Sequence, residues 1–370
     1  MATTYGNNLK ISIYGGSHDP EIGIIAGGLP KGAEFDVESL LAFMKRRAPG
    51  NNKYSTARKE ADKPIFLSGV LPASEDISGK ATLDGTTLKA IIRNSNMHSG
   101  DYSNLVDVPR PSHADYPARV KFGENVDLRG GGHFSGRLTA PMCIVGGICL
   151  QILEKMGIKI AAHVYSVKGE KDIEFDPCGV NEKDFDTLSA HEFPTLSIMA
   201  GERMQTVIEN ARTDGDSVGG VIECAVIGLP VGIGEHMFAG LEGRISSIIF
   251  SVPAVKAIEF GKGFESAELF GSENNDPYFM DGGEIRTRTN NCGGISGGMS
   301  NGMPIIFRVG IKPTPSIAKE QDSVSLSRRE NVKLVIKGRH DPCIVPRAVP
   351  VIEAAAAIAI LDAILDQKAK

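Results

Sequence analysis

Residues 348–365, AVPVIEAAAAIAILDAIL, form the most apolar stretch of the sequence and predict a long helix. Pro350, Glu353 and Asp362 interrupt the stretch, which favours a buried core helix over a membrane span. Residues 139–156 predict a second helix that is apolar almost all round. A helix that is apolar on every face is normally covered on every side. We therefore predict an α+β fold with a core of long helices between antiparallel sheets.

The turn sequence Gly-Leu-Pro-x-Gly occurs twice, at 28–32 and at 228–232. In both places it follows a strand-like apolar run and precedes a helical stretch. Asp36 is the predicted N-cap of the first of these helices, over 37–47. We interpret the repeat as a faint internal duplication, and coincidence in a glycine-rich chain is the alternative.

No Pro/Ser-rich linker divides the sequence, so we predict a single domain over residues 1–370. Its pseudo-repeat halves would cover roughly 1–165 and 210–370. Residues 182–191 are polar and aperiodic, which predicts a peripheral insertion between the halves.

The composition is that of an ordinary globular protein with a slight negative charge. Of its 370 residues, 41% are hydrophobic and 23% are charged, and the formal net charge is -5. This composition excludes long disorder and disfavours a generally basic nucleic-acid-binding protein. The cysteines form no Cys-x-x-Cys pair, so no zinc site is predicted. Residues 1–10 lack the apolar core of an export signal, and we expect a cytoplasmic protein with free thiols and no membrane contact.

Histidines and carboxylates cluster on loops beside glycine or proline, while several familiar catalytic motifs are absent. The sequence has no phosphate-binding P-loop, no Gly-x-Ser-x-Gly elbow and no His-Glu-x-x-His helix. His18 follows a glycine turn and can shuttle a proton to a ligand; a solvated loop histidine is the alternative. In residues 110–116, RPSHADY, Asp115 can fix the tautomer of His113, and a chance polar loop is the alternative.

Basic residues follow the predicted end of the helix over 37–47. Arg47, Lys53 and Arg58 surround a Pro-Gly break, which favours recognition of phosphate or carboxylate groups. Interaction of these cations with the helix dipole is the alternative. Near the last helix, Asp341 either forms an ion pair with its basic neighbours or is aimed at a proton.

Two glycine-rich stretches predict ligand contacts. Residues 127–137, DLRGGGHFSGR, lead into the second long helix, and bare backbone N–H groups there can bind an anion. Arg137 would oppose the helix dipole at this place unless an anion is present. Residues 293–302 are glycine-rich, which predicts an irregular backbone surface against a flat or bulky ligand, with a mobile loop as the alternative. The loops together indicate an enzyme for a polyanionic small molecule without naming its reaction.

Read together, these motifs resemble the chorismate synthase family along nearly the whole chain. The family's Gly-x-Ser-His, Arg-x-Pro-Gly, Arg-Pro-x-His-Ala-Asp-Tyr, Arg-Gly-Gly-Gly, Asp-Ser-Val-Gly-Gly and Gly-Arg-His-Asp-Pro-Cys motifs stand in order at 15–18, 47–50, 110–116, 129–132, 216–220 and 338–343. The sequence departs from the family pattern at Gly16, Lys53, His133 and Phe134, where we expect Glu, Arg, Arg and Ser. These departures lie near the implied flavin and substrate sites.

The resemblance implies a lyase of the shikimate pathway. Such an enzyme converts 5-enolpyruvylshikimate 3-phosphate to chorismate and inorganic phosphate by a 1,4-elimination. The resemblance also implies reduced FMN as cofactor, NADPH as a possible reductant, a homotetramer and a β-α-β sandwich. A non-catalytic paralogue that binds a flavin or a phosphorylated ligand is the alternative function.

The resemblance assigns roles to residues of three kinds. The implied catalytic residues are His18, the acid that helps phosphate to leave, His113, which protonates or stabilises the reduced flavin, and Asp341, which manages the flavin N5 proton. The implied substrate-binding residues are Arg47, Lys53, Arg58, Arg110 and Arg137. The implied cofactor-binding residues are His133, Phe134, Ser135, Gly297, Lys312, Pro313, Thr314, Pro315, Ser316 and Arg339.

Overall fold

The computed structural model describes residues 3–50, 62–72, 77–94, 105, 107–336 and 341–368. Its strands are β1 (Thr3–Tyr5), β2 (Lys10–Gly15), β3 (Glu21–Gly27), β4 (Glu34–Asp36), β5 (Ile65–Ser68), β6 (Val70–Leu71), β7 (Lys80–Leu83), β8 (Leu88–Arg93), β9 (Lys159–Val167), β10 (Glu170–Lys171), β11 (Gly220–Ile227), β12 (Val255–Phe260), β13 (Tyr278–Asp281), β14 (Glu284–Thr287), β15 (Ile295–Ser296), β16 (Met299–Ser300), β17 (Ile305–Ile311), β18 (Gln321–Ser325) and β19 (Glu330–Leu334). Its α-helices are α1 (Val37–Arg47), α2 (Asp115–Phe122), α3 (Thr139–Glu154), α4 (Glu182–Ala190), α5 (Ile198–Thr213), α6 (Leu241–Ile249), α7 (Gly271–Asn274) and α8 (Val345–Lys368). Short 3-10 helices cover Arg129–Phe134, Gly136–Leu138, Met237–Ala239 and Gly263–Glu268.

Two five-stranded sheets are built entirely from antiparallel pairs. The first has the order β1-β2-β3-β8-β5, and the second has the order β10-β9-β11-β17-β12. In the first sheet, the edge strand β5 pairs with β8, which follows it along the chain. In the second sheet, the edge strand β12 likewise pairs with β17, which follows it, so the last four strands have the same order in both sheets. The combination of antiparallel sheets with helices is an α+β fold, as the sequence predicted.

Helices α3 and α8 pack against each other in the core. A Cβ on Gly146 of α3 would lie 2.2 Å from the Cβ of Ala354 in α8, so glycine allows the two backbones to approach closely. The segments Gly136–Glu154 and Val345–Gln367 are long and apolar enough to cross a membrane, but their most apolar windows are 83% and 89% buried inside the fold. Both are therefore core helices, as predicted.

The charged residues that interrupt the apolar stretch of α8 are tied to its neighbours. Glu353 accepts hydrogen bonds from both terminal nitrogens of Arg46, at 2.7 and 2.9 Å, and from the backbone N of Ala162 at 3.0 Å. Asp362 accepts hydrogen bonds from the backbone N–H groups of residues 7–9. These bonds offset the cost of burying two carboxylates in an apolar core.

Helix α1 begins at the predicted N-cap, and its last residue lies at the candidate site. Oδ1 of Asp36 accepts a hydrogen bond from the backbone N of Ser39 at 2.8 Å, which confirms the predicted cap. The helix ends at Arg47, a buried residue. Elsewhere, the polar stretch predicted as a peripheral insertion contains α4, whose Leu188 is buried in a small apolar cluster on the second sheet.

Candidate active site

A cavity of about 810 Å³ lies where several loops meet, and we call it the main cavity. Its walls come from the end of α1, the loops before α2 and α3, the segment between α6 and β12, the loop after β17 and the start of α8. These segments lie far apart in the sequence, and the two sheets and the core helices bring them together. The volume is in the range of small-molecule sites.

The imidazole of His113 is held by a buried carboxylate at the wall of the main cavity. Its Nδ1 donates to Oδ1 of Asp115 at 2.7 Å. Asp115 also accepts hydrogen bonds from Arg110, at 3.0 Å from the backbone N, 2.7 Å from Nε and 2.8 Å from Nη2. Burial alone would raise the pKa of Asp115, but the hydrogen bonds from Arg110 and His113 outweigh it and hold the pKa well below its usual range. Since Nδ1 is engaged, Nε2 is the ring nitrogen of His113 that can meet a ligand.

Arg47 and Arg137 line the main cavity and share one carboxylate. Both form ion pairs with Asp62, whose side chain is fully buried. Nε of Arg47 also donates to the hydroxyl of Thr139 at 3.1 Å. Nε of Arg137 donates to Oδ1 of Asn94 at 3.1 Å. The two guanidinium groups are therefore anchored side by side, as recognition of an anion requires.

Three consecutive glycines shape the loop before α3. Gly130, Gly131 and Gly132 have φ values of 58°, 94° and 53°, a left-handed region that favours glycine. A Cβ on Gly130 would lie 2.4 Å from Cε1 of His18, and a Cβ on Gly132 would lie 2.1 Å from the carbonyl oxygen of Asp127. Glycine is thus required for this close packing. His18 lies behind the loop, and Gly130 stands at the cavity wall in front of it.

The backbone N–H groups of this loop are partly used within the loop itself. The N–H of Gly131 donates to the carbonyl of Leu128 at 2.9 Å, and the N–H of Ser135 donates to the carbonyl of Gly132 at 3.4 Å. The N–H of Arg137 donates to Oγ of Ser135 at 3.3 Å. The sequence predicted bare N–H groups here, and these local bonds are the reason for the difference. Arginine side chains are left as the main anion-binding groups of this wall.

Two lysines and a threonine are also among the residues that line the main cavity. Lys256 and Lys312 both line the main cavity. Burial and the charge of Lys256 lower the pKa of Lys312. Oγ1 of Thr314 is a buried oxygen with no hydrogen-bond partner among the described residues. A cavity that is lined by two lysines and by this threonine suits an anionic ligand.

Asp341 stands at the start of α8, where Arg347 holds it. Nη1 of Arg347 lies 2.6 Å from Oδ2 of Asp341, and both residues line the main cavity. Burial lowers the pKa of Arg347, and the charge of Asp341 opposes that shift. The carboxylate is therefore fixed in position at the cavity wall.

Most of the sequence-predicted site residues meet at the main cavity. Those that line it are Arg47, Arg110, His113, His133, Phe134, Ser135, Arg137, Lys312, Thr314, Pro315, Ser316 and Asp341. His18 and Pro313 adjoin lining residues without lining the cavity themselves. Lys53, Arg58 and Arg339 lie outside the described residues.

Gly297 lies apart from the main cavity, in the turn between β15 and β16. Gly297 and Gly298 have φ values of 60° and 88°, which a tight two-residue hairpin turn needs. The stretch 293–302, predicted to be irregular, therefore contains a short hairpin. A Cβ on Gly298 would lie 2.2 Å from the carbonyl oxygen of Glu235, so the hairpin packs closely on that segment.

Sequence reasoning assigned no role to Asp62, Lys256 or Arg347. Arg347 lies in a stretch that already carried the family resemblance, so its charge beside Asp341 was an available signal. Asp62 lies in a run of mixed charges, KEADK, which does not indicate where the carboxylate points or which residue it pairs with. Lys256 follows the end of α6 by several residues and reaches the cavity through the pairing of β12 with β17.

The fold and the main cavity are those of an enzyme for a small molecule, with arginines, lysines and a histidine–carboxylate pair at the cavity. The sequence profile of the chorismate synthase family matches residues 9–365. The chain therefore belongs to the chorismate synthase family, whose members are lyases of the shikimate pathway for aromatic amino acid biosynthesis. This confirms the family and the enzyme class that the motifs indicated.

Similar proteins cover nearly the whole chain. A chorismate synthase of Lancefieldella parvula is 46% identical over 98% of this chain and 96% of its own length. Chorismate synthases of Korarchaeum cryptofilum and Thermococcus gammatolerans are each 41% identical, also over 98% of this chain, and are covered over 97% and 98% of their lengths. A crystal structure of chorismate synthase matches with a TM-score of 0.75 at 28% identity, over 98% of this chain and 93% of that one.

Proposed function

We propose that this chain eliminates phosphate from 5-enolpyruvylshikimate 3-phosphate to give chorismate and inorganic phosphate. The observation that carries the proposal is the convergence of Arg47, Arg110 and Arg137 with the His113–Asp115 pair on one cavity. Arginine forks bind phosphate and carboxylate groups, and this substrate carries both. A histidine can move a proton near neutral pH. Among the described residues, no contact favours the alternative of a non-catalytic paralogue.

We further propose that reduced FMN binds in the main cavity. The support is the buried hydroxyl of Thr314, which has no hydrogen-bond partner in the part of the chain that the structure describes, together with Lys256 and Lys312 on the same cavity. A phosphate group there would accept a hydrogen bond from the hydroxyl and offset the repulsion between the ammonium groups. The residues present therefore fit the phosphate end of this cofactor. NADPH is our proposed source of reducing power.

The proposed roles follow the orientation of each side chain. When bound, the flavin supplies electron density for the elimination. His113 would take up a proton at Nε2 and give it back there, because its Nδ1 stays hydrogen-bonded to Asp115. Asp341 would accept or return a proton at its carboxylate, which Arg347 keeps in place. For His18, the role of the acid that assists the departing phosphate rests on the family's Gly-x-Ser-His motif, because its side chain packs behind Gly130 and does not line the cavity.

We propose that the chain works as a cytoplasmic homotetramer that binds neither nucleic acid nor membrane. The support for self-association is a set of large apolar side chains that are exposed in one chain. Phe238, Phe264 and Phe270 are 95%, 84% and 78% exposed. Exposed aromatic residues of this kind are typical of surfaces that contact another protein.

We also propose a β-α-β sandwich that arose by duplication within a single domain. The support is the common order of the last four strands in both sheets. The two Gly-Leu-Pro-x-Gly turns agree as well, because Gly28 and Gly228 have φ values of 84° and 78°. A Cβ on Gly28 would lie 1.9 Å from the carbonyl oxygen of Asn8, and a Cβ on Gly228 would lie 2.1 Å from that of Gly157. The two turns thus pack on an earlier segment in the same manner.

Anaerobic turnover tests the proposed function. Purified protein, dithionite-reduced FMN and 5-enolpyruvylshikimate 3-phosphate should give equal amounts of chorismate, followed by absorbance, and of phosphate. The variant His113→Ala should lose turnover while it keeps the melting temperature of the wild type. If no product forms and FMN still raises the melting temperature, the chain is the non-catalytic paralogue.

A further inference from the structure

The buried carboxylate of Asp62 forms ion pairs with two arginines that line the main cavity. Its Oδ2 pairs with Nη1 of Arg47, and its Oδ1 pairs with Nη1 of Arg137. The arginines line the cavity, whereas the side chain of Asp62 is fully buried and does not reach the cavity wall. The carboxylate therefore acts on the site through the arginines and not through contact with a ligand.

The other bonds of the two arginines fix the directions of the guanidinium planes. Arg47 donates from Nε to Thr139 at 3.1 Å and from Nη2 to the carbonyl of Gly136 at 3.3 Å. Arg137 donates from Nε to Asn94 at 3.1 Å. The carboxylate of Asp62 bonds to the guanidinium groups of both arginines. Each of its two oxygens thus ties one guanidinium group to the same carboxylate.

Charge gives a second reason for a carboxylate at this place. Two guanidinium groups that lie side by side away from water repel each other unless an anion lies close. Arg137 also stands just before the N-terminus of α3, where the helix dipole disfavours a cation. Burial alone would raise the pKa of Asp62, but the charges of Arg47 and Arg137 outweigh it and lower the pKa, so Asp62 stays ionised.

The backbone of Asp62 is itself in an uncommon conformation. Its φ is 47°, in the left-handed region that few residues other than glycine adopt. Non-glycine residues in this region persist where the surrounding structure holds them, and they cluster at functional sites. The two ion pairs are contacts that can hold the residue there.

We propose that Asp62 is a positioning residue for substrate binding, which presets Arg47 and Arg137 as one two-pronged site for an anionic group of the substrate. The inference rests on the proposed function, since it takes the substrate to be 5-enolpyruvylshikimate 3-phosphate. The preset pair binds that anion without rearrangement, so Asp62 lowers KM.

The test compares Asp62→Asn with wild type in anaerobic turnover. The asparagine keeps the shape but loses the charge, and we expect KM to rise by about ten-fold to a hundred-fold while kcat changes by less than about three-fold. Glu353→Gln is the matched control, because it also removes a buried carboxylate from an arginine, Arg46, outside the main cavity. The control should lose thermal stability and keep the wild-type KM. An unchanged KM, or one that falls because Asp62 competes with the substrate, would overturn the proposal.

A second variant and a binding measurement cover the remaining outcomes. If Asp62→Asn does not fold, Asp62→Glu keeps the charge but displaces it, and KM should still rise. If the wild type gives no chorismate, the proposed function fails, and the gain in melting temperature with 5-enolpyruvylshikimate 3-phosphate is measured instead. A gain that the wild type shows and the Asp62 variant lacks supports positioning without turnover. Equal gains, or no gain in either protein, refute it.

Discussion

Arg347 donates a hydrogen bond from Nε to the backbone carbonyl of Arg47 at 3.1 Å, across a separation of 300 residues. The same guanidinium holds Asp341 through Nη1. One side chain at the start of α8 therefore joins the end of α1 to a carboxylate of the main cavity. The anion-binding wall and the proposed proton-handling group are fixed relative to each other by this contact.

Replacing Arg347 with lysine should break at least one of its two contacts, with Asp341 and with the carbonyl of Arg47. Lysine keeps the charge but lacks the planar fork, so it cannot hold both Asp341 and the carbonyl of Arg47. We expect kcat for chorismate formation to fall by at least about ten-fold in anaerobic assays. Arg308→Lys is the control, because Arg308 pairs with Glu223 away from the cavity. Equal kcat values in both variants would contradict the role of Arg347.

Replacing Asp115 with asparagine should impair the proton transfer assigned to His113. The change removes the carboxylate that accepts from Nδ1, so neither the tautomer nor the ring orientation is fixed. We expect kcat to fall by about a hundred-fold, within the range for loss of a general acid or base. The pH profile of kcat should also shift, which a purely structural effect would not cause. A variant with the wild-type rate and profile would remove Asp115 from the mechanism.

Replacing Thr314 with valine should weaken FMN binding. The variant removes the buried hydroxyl and keeps the volume, so a bound phosphate group loses one donor. We expect the Kd for FMN to rise by about ten-fold, because the variant loses the binding free energy of one charge-assisted hydrogen bond. Quenching of FMN fluorescence on binding provides the measurement. Thr314→Ser keeps the hydroxyl and should bind like the wild type, and equal weakening in both variants would point to packing instead.

The buried His163 predicts a pH dependence of stability. Its Nδ1 lies 3.1 Å from Asp172 and its Nε2 lies 3.0 Å from Glu223. Burial lowers the pKa of His163, but the bonds and charges of the two carboxylates outweigh it and raise the pKa. The stabilisation is thus complete below the unfolded-state pKa of about 6.5 and is lost as the pH rises through the higher folded-state pKa.

Urea unfolding at pH 6 and pH 9 tests this dependence. His163→Gln should cost about 3–5 kcal/mol at pH 6, because it removes the cation that pairs with buried Asp172 and one of the two cations that pair with buried Glu223, and less at pH 9. His236→Gln is the control, since the His236 side chain is 79% exposed, and it should cost little at either pH. A cost that is larger at pH 9 would show that His163 is neutral in the folded protein.

Replacing Gly146 with alanine tests the contact between the core helices. The new methyl group would lie 2.2 Å from the Cβ and 2.5 Å from the Cα of Ala354, so α3 and α8 must move apart. Overpacking of this kind costs about 1–3 kcal/mol in the free energy of unfolding. Gly271→Ala is the control, because no atom lies within 4 Å of its Cβ position. If both variants are as stable as the wild type, the helices pack less closely than described.

The core helices and the N-cap of α1 could be predicted because their signals are local. A helix that is apolar on every face must be buried, whichever element packs against it. An N-cap side chain bonds to a residue only three positions away. Short local motifs also led to four residues of the cavity wall, which are Arg47, Arg110, His113 and Arg137. The position of Gly297 depended on how the hairpin of β15 and β16 packs on a distant segment, which no local pattern reports.

The shared carboxylate of Asp62 could not be predicted for a related reason. Its partners lie 15 and 75 residues away, and both contacts depend on how the first sheet and α3 come together. A charged run such as KEADK is most often a solvated surface in a globular protein. Only the arrangement in space shows that Asp62 is buried.

The contact between Gly146 and Ala354 has a consequence for how the chain folds. The two residues are about 200 positions apart, so their contact closes a long loop of the chain. Closing so long a loop is entropically costly before the contact gives any stabilisation, so this core assembles late and slowly. Until then, two long apolar helices are exposed to water, and the half-folded chain is prone to aggregate. Recovery of the folded protein after dilution from denaturant should therefore fall as the protein concentration rises.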